Sequence, residues 1–325
     1  MKLISPTEYI SQAAEAARHA TDHIHLISLV IADHNNTHEL IKELELAAKR
    51  GVKVVIAADI FTYGEVSTGF LPFRYYSAGI SATDKMVKDL KRAGVKFNWL
   101  GRGRVTFFNG RTHSKWCVID DEIFSFGGVN IYDSGIANHD YVFRLTSKRL
   151  AERLVEEQTR ILKAERTAAN YPSVAYEHPR MDVLFDGGII GQSIIYRRAC
   201  ELAKKAEHIV FISQYCPTGR LARILKKRKT EFYYNRVDQA EGLNKIVIYL
   251  SQLVSGLSTA YTQEKYLHAK CIIYTMPDGS KHAISGSHNF AYTGVLLGTR
   301  ELAIETTDSK IIKQLENFAG SVRSV

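Results

Sequence analysis

Stretches with apolar residues at helical spacing alternate along this chain with short, almost unbroken apolar runs, the pattern of helices alternating with buried strands. Residues 8–21, alanine-rich and preceded by Pro6, predict a helix, and 24–31 a strand. Asn36 and Thr37 form a cap ahead of a helix over 38–50, with Leu40, Leu44, Ala47 and Ala48 on one face and Gly51 ending it. Residues 52–58, rich in Val, Ile and Ala, predict a fully buried strand. Strand, helix and strand in that order form a βαβ unit, which requires parallel strands and a right-handed crossover. A connection rich in Gly, Tyr and Phe spans 61–82. A helix over 83–93, closed by Gly94, and a strand over 95–100 follow.

The next stretch, Arg111-Thr-His-Ser-Lys-Trp-Cys-Val-Ile-Asp120, carries candidate chemistry. On a strand, the spacing of His113 and Lys115 puts both side chains on one face. Asp120-Asp121 reads as a hairpin turn, with a returning strand over 122–126. Gly127-Gly128 permits close backbone approach, and Asn130 follows. A base or nucleophile, a fixed cation and an amide donor thus converge, the parts needed to hold and attack a phosphoryl group. A strand over 141–145 and a helix over 148–168 close this half.

A second copy makes the signal strong. Tyr266-Leu-His268-Ala-Lys270 repeats the first line, Gly286-Ser287-His288-Asn289 repeats the second, and a Pro-Asp-Gly turn lies between them. His208-Ile-Val-Phe-Ile-Ser213 parallels His23-Ile-His-Leu-Ile-Ser28. A basic helix over 218–228, a strand over 231–235, a helix over 246–257 and an amphipathic helix over 309–318 complete the second half. Pro172 and Pro179 mark a linker. The division is a first half over 1–168, a linker over 169–182 and a second half over 183–325. An internal duplication follows: an α/β protein of two α/β/α sandwich halves packed about a pseudo-two-fold axis, with the site at their junction.

The pattern H-x-K-x4-D-x6-G-[GS]-x-N resembles the signature of the phospholipase D superfamily, in its cardiolipin synthase or phosphatidyltransferase form. His113, Lys115, Asp120, Gly127, Gly128 and Asn130 match it fully. His268, Lys270, Gly286, Ser287 and Asn289 match it in the second half, where Thr275 stands at the Asp position. The resemblance implies that this Asp is structural and distant from the phosphate. It also implies a covalent phosphohistidine, with one histidine attacking phosphorus, His113 by family resemblance, and the other acting as acid and base. Lys115, Lys270, Asn130 and Asn289 would hold the phosphoryl oxygens, with Gly128 and Ser287 donating further. Each imidazole needs its far nitrogen anchored, and Asp140 and Glu301 are the candidates. His23, His25 and His139 read as structural, while His288, inside the Gly-x-x-Asn run, is placed to touch substrate. No cofactor is implied, and no carboxylate cluster suggests a metal.

Composition narrows the partners. The 325 residues carry a formal net charge of +9, and the apolar fraction of 45% supports a real core. A basic protein suits an anionic partner. The readings are cardiolipin-synthase-like transfer or phospholipase D hydrolysis on an anionic phospholipid substrate, with peripheral contact at the inner membrane face, a metal-independent nuclease acting on nucleic acid, or an inactive anion-binding module. The start of the sequence lacks a leader pattern and no run reaches membrane-span length, so a cytoplasmic location is expected. Cys117 and Cys271 read as buried small hydrophobes. The loop 101–104 is a candidate phosphate contact. The aromatic segment 69–76, with Phe70 and Phe73, is a candidate lipid contact at the pocket mouth.

Overall fold

The computed structural model of the chain describes residues 1–67, 77–101 and 110–323. The aromatic segment 69–76 and the basic residues of the 101–104 loop, Arg102 and Arg104, lie outside them. The first half runs β1 (Lys2–Ile4), α1 (Pro6–His19), β2 (His23–Ser28), α2 (His38–Lys49), β3 (Lys53–Asp59), α3 (Phe61–Val66), α4 (Ala78–Arg92), β4 (Lys96–Leu100), β5 (Trp116–Ile119), β6 (Glu122–Ser125), α5 (Asp133–Ala137), β7 (Val142–Thr146) and α6 (Lys148–Thr167). The second runs β8 (Val174–His178), β9 (Met181–Gly187), α7 (Ile194–Lys205), β10 (His208–Ile212), α8 (Gly219–Leu225), β11 (Lys229–Tyr233), α9 (Gly242–Ser255), β12 (Cys271–Thr275), β13 (Lys281–Gly286), α10 (Tyr292–Leu297), β14 (Arg300–Thr306) and α11 (Ser309–Arg323).

Local chemistry sets these elements. Ser5 and Glu8 cap α1 reciprocally, with Pro6 in its first turn, where no backbone donor is needed. Tyr9, Ile10, Ala13, Ala14 and Ala17 form its buried stripe. Thr37 precedes α2, but its hydroxyl turns back to the Ala32 carbonyl at 2.7 Å instead of capping the helix.

The duplication is explicit in the two seven-stranded sheets. In the first, the strand order is β1-β7-β6-β5-β2-β3-β4; in the second it is β11-β10-β12-β13-β14-β9-β8. Strands β7, β6, β5, β2 and β3 correspond to β14, β13, β12, β10 and β11, with matching parallel and antiparallel senses. β1 on β7 corresponds to β9 on β14. β4 and β8 are the unmatched edges. The stretch 169–182 holds β8 and the start of β9, both paired into the second sheet, because Pro179 and Arg180 form a hairpin turn.

One core joins the halves. Trp116, Phe126 and Phe143 of the first half share it with Phe185, Cys271 and Leu302 of the second. Leu154 and Ile161 of α6 and Leu315 and Phe318 of α11 belong to the same cluster. α1, α2 and α4 cover the outer face of the first sheet, and α7 and α8 that of the second. All four cysteines are buried and free.

Candidate active site

Both His-x-Lys pairs sit just before a strand, correcting the expectation that they lie on one: β5 begins at Trp116 and β12 at Cys271. The reason is that each approach segment pairs with the other half. Thr112 bridges Arg300, and Leu267 bridges His139. The His113 N–H donates to the Arg300 carbonyl at 2.8 Å, and the His268 N–H to the His139 carbonyl at 3.0 Å. Each docking residue directly precedes a candidate carboxylate. The approach segments are thereby laid against β14, which carries Glu301, and against the segment entering β7, which carries Asp140.

The outcome is a crosswise arrangement. Nδ1 of His113 lies 3.2 Å from Glu301 Oε2 and 3.2 Å from the Ser287 carbonyl. Nδ1 of His268 lies 2.8 Å from Asp140 Oδ2. A carboxylate at Nδ1 fixes the tautomer with the proton there and leaves the Nε2 lone pair available. Lys115 donates to the His113 carbonyl at 2.8 Å, and Lys270 to the His268 carbonyl. Asn130 and Asn289 have no side-chain partner for their Oδ1 atoms among the described residues.

Glycine is required where the strands close. A Cβ on Gly127 would lie 1.8 Å from the Tyr141 carbonyl oxygen, and one on Gly286 would lie 2.2 Å from that of Leu302. Gly128 is tighter for function: a Cβ there would be 2.5 Å from the His268 carbonyl oxygen, 2.6 Å from Asp140 Oδ2 and 2.8 Å from Lys270 Nζ. Its own N–H donates to Asp140 Oδ1 at 3.2 Å. Ser287, at the matching position, gives its hydroxyl to Glu301. Phe126, just before the glycine pair, holds φ of 61°, a strained conformation for a bulky residue.

Burial dominates the electrostatics. It lowers the Lys115 pKa to about 7, helped by repulsion from Lys270, and lowers Lys270 to about 8 against the pull of Asp140 and Glu301. Burial and then Lys270 push His268 down to about 3, despite Asp140. Burial and Lys115 lower His113, which Glu301 opposes. Burial pushes Glu301 up, but the His113 charge and hydrogen bond and nearby groups outweigh it and bring the carboxyl down to about 2. Asp140 is lowered in the same way: burial opposes, and His268 and Lys270 prevail. Near neutral pH both imidazoles are therefore neutral and both carboxylates charged. An arriving anion would restore the cationic forms of the lysines.

Three other candidates resolve differently. Asp120, at the far end of β5 from Lys115, accepts the N–H groups of Thr21, Asp22 and His23 at 3.0 Å each and anchors the start of β2. It lies away from the site. His288 is buried, its Nδ1 accepting from the Phe290 N–H at 2.7 Å, and burial pushes its pKa down to about 4. His139 serves through its backbone, while its ring meets Ser321 Oγ at 3.1 Å. Arg300 was not singled out by the sequence, although it directly precedes Glu301. Fully buried, it donates to the Gly110 carbonyl at 2.9 Å, Glu165 Oε1 at 2.7 Å and Asn170 Oδ1 at 2.8 Å, fixing the turn that feeds His113. Among the described residues, no group of three or more His, Cys, Asp or Glu could hold a metal ion, and no helix is long and apolar enough to cross a membrane.

Residues 14–162 match the family model described as a cardiolipin synthase, PLD-like domain. Over 138 residues the chain is 30% identical to a cardiolipin synthase of Halalkalibacterium halodurans, a match covering 41% of this chain and 24% of that protein. The chain thus matches about a quarter of that relative's length. A phosphatidylserine synthase of Haemophilus influenzae Rd KW20 has a similar structure, with a TM-score of 0.72 at 15% identity over 99% of this chain and 86% of that one. A polyphosphate kinase of Porphyromonas gingivalis has a TM-score of 0.62 at 14% identity, over 97% and 49% respectively. At these identities the structural likeness is one of fold.

Proposed function

The chain belongs to the phospholipase D superfamily, and on that premise we propose that it is a phosphatidyltransferase of cardiolipin synthase type acting on anionic phospholipid. The observation that carries this reading is the crosswise pairing of each histidine with a carboxylate from the other half. It gives two imidazoles held in one tautomer beside two buried lysines, as a two-step displacement at phosphorus requires.

In the first step Nε2 of His113 attacks phosphorus, and the bond from phosphorus to the leaving alcohol oxygen breaks. We assign attack to His113 as the more exposed ring, 16% against 8% for His268. His268, neutral in the free protein, is protonated beside the phosphodiester anion, whose charge offsets that of Lys270, and gives its Nε2 proton to the leaving oxygen. In the second step the now neutral His268 takes the proton of an incoming alcohol, whose oxygen attacks phosphorus, and the phosphorus–nitrogen bond to His113 breaks. Water in place of the alcohol gives phospholipase D hydrolysis. Lys115, Lys270, Asn130 and Asn289 balance charge on the equatorial oxygens. The lysines supply that charge from within the chain, so turnover is expected to survive EDTA.

The test is incubation of the full chain with phosphatidylglycerol vesicles and a primary alcohol in EDTA, with single-stranded DNA in parallel. A transphosphatidylated lipid, together with an acid-labile phosphohistidine that accumulates in His268→Ala and is missing in His113→Ala, is the expected result. Label on His268 instead would exchange the two roles. DNA cleavage without lipid turnover would replace the reading with the nuclease alternative.

A further inference from the structure

Helix α9 carries its apolar side outward. Of its side chains, Ile248 is fully buried and Ser251 nearly so, whereas Ile246, Val247, Tyr249 and Leu250 are exposed and Leu253 and Val254 are 67% and 77% exposed. At helical spacing those six exposed residues fall within an arc of about 160°, opposite the side that carries Ile248. Lys245 is its one charged residue. A soluble helix ordinarily places such a stripe inward, and an exposed one marks an interaction surface.

What adjoins the stripe selects the partner. α8 packs against α9, and residues 219–229 hold Arg220, Arg223, Lys226, Lys227, Arg228 and Lys229 with no acid. All six are exposed. Arg220, Arg223, Lys227 and Arg228, with Lys204 of α7, line a shallow groove of about 570 Å³. α10, which also packs against α8, exposes Tyr292, Leu296 and Leu297. An apolar stripe beside a basic band fits the boundary between acyl chains and anionic headgroups. A nucleic acid would use the basic band and leave the stripe in water. A second copy docked across α9 by a two-fold would bring two basic bands together.

We infer that α9 is a membrane-docking helix, lying in the surface of an anionic bilayer with the basic run 219–229 against the headgroups. The helix is also connected to the site. Tyr215 OH donates to Asn244 Oδ1 at 2.5 Å near the start of α9, and the adjacent Gln214 donates to Tyr266 OH at 3.2 Å. Tyr266 lies two residues before His268, so these contacts tie α9 to the segment that feeds His268. The inference concerns where the protein sits and stands apart from which bond it breaks.

The experiment is co-sedimentation of the full chain with phosphatidylcholine vesicles, with and without phosphatidylglycerol, comparing wild type with Leu253→Asp/Val254→Asp. Wild type is expected to bind the anionic vesicles. The variant should bind them at least about tenfold more weakly, with hydrolysis of a small soluble phosphodiester unchanged. Lys226→Glu/Lys227→Glu, which leaves the stripe intact, should weaken binding most at low salt. In Leu253→Trp, brominated lipid should quench emission beyond that of Trp99 and Trp116. Failure of wild type to bind, binding unchanged in the stripe variant, or a dimer that the stripe variant dissociates while vesicles are ignored would each overturn the inference. Vesicle binding through α9 without phospholipid turnover would uphold docking and remove the phosphatidyltransferase reading.

Discussion

Asp140 Oδ2 lies 2.8 Å from Nδ1 of His268, a residue of the opposite half, and Glu301 holds His113 in the reciprocal way at 3.2 Å. Neither of these two histidines takes its carboxylate from its own half. Asp140→Asn and Glu301→Gln keep shape while removing the charge that fixes each imidazole. Each is expected to lower kcat by roughly 10- to 100-fold with little change in KM, as loss of an orienting carboxylate does. A kcat within about twofold of wild type in either variant would show that the carboxylates only support the fold.

Gly128 and Ser287 occupy matching positions with unequal room. Gly128→Ala places a methyl among the His268 carbonyl, Asp140 and Lys270. Thermal unfolding should register a loss of about 1–3 kcal/mol, the usual cost of overpacking, with turnover nearly abolished. Ser287→Gly gives up the hydroxyl contacts to Glu301 and to the Leu302 backbone but adds no atom to the site, and should retain most activity. Equal sensitivity at the two positions would contradict the geometry.

Anion affinity should fall as pH rises. With Lys115 lowered to about 7 and Lys270 to about 8, the free protein loses both cations over the mildly alkaline range. The Kd of a non-hydrolysable phosphodiester should rise by about tenfold per pH unit once the first lysine has deprotonated, and more steeply beyond the second. Saturating substrate keeps both protonated, so kcat should lack this limb. Between the folded pKa values and 10.5 the unfolded chain binds more protons at these lysines, so their contribution makes stability rise with pH across that window. Calorimetric titration from pH 6 to about 9 tests the binding claim, and a flat Kd would refute it.

Asp120 holds three backbone N–H groups and the Thr21 hydroxyl at the edge remote from the histidines. Asp120→Ala should cost on the order of 2 kcal/mol of stability, the scale for hydrogen bonds to a charged acceptor, and leave kcat near wild type at a temperature where the variant is folded. Denaturant unfolding beside steady-state kinetics separates the two effects.

Much of this was legible because the motif occurs twice: His113 with Lys115 and His268 with Lys270 share their spacing, and each is followed by a Gly-x-x-Asn run. The matched strand orders bear out the duplicated fold. Which carboxylate meets which histidine was not legible, since Asp140 and Glu301 each follow their own Asn and only the mutual orientation of the halves decides the pairing. The strand placement of the motif failed for a related reason. Hydrogen bonds to Arg300 and His139 in the opposite half, not a sheet neighbour, extend the backbone there. Pro172 and Pro179 suggested a linker because proline breaks ladders, yet Pro179 sits in the β8–β9 turn, where no ladder bond is lost. Helical periodicity located α9 without telling which of its faces looks outward.

The joints at Thr112–Arg300 and Leu267–His139 run through backbone atoms. The joints themselves therefore do not depend on which side chains the approach segments carry, as Thr112 and Leu267 already differ. They do depend on chain length. One residue inserted between Thr112 and His113 would keep every motif residue present and yet turn the imidazole away from Glu301, so the site is guarded against insertion and deletion far more strictly than against substitution.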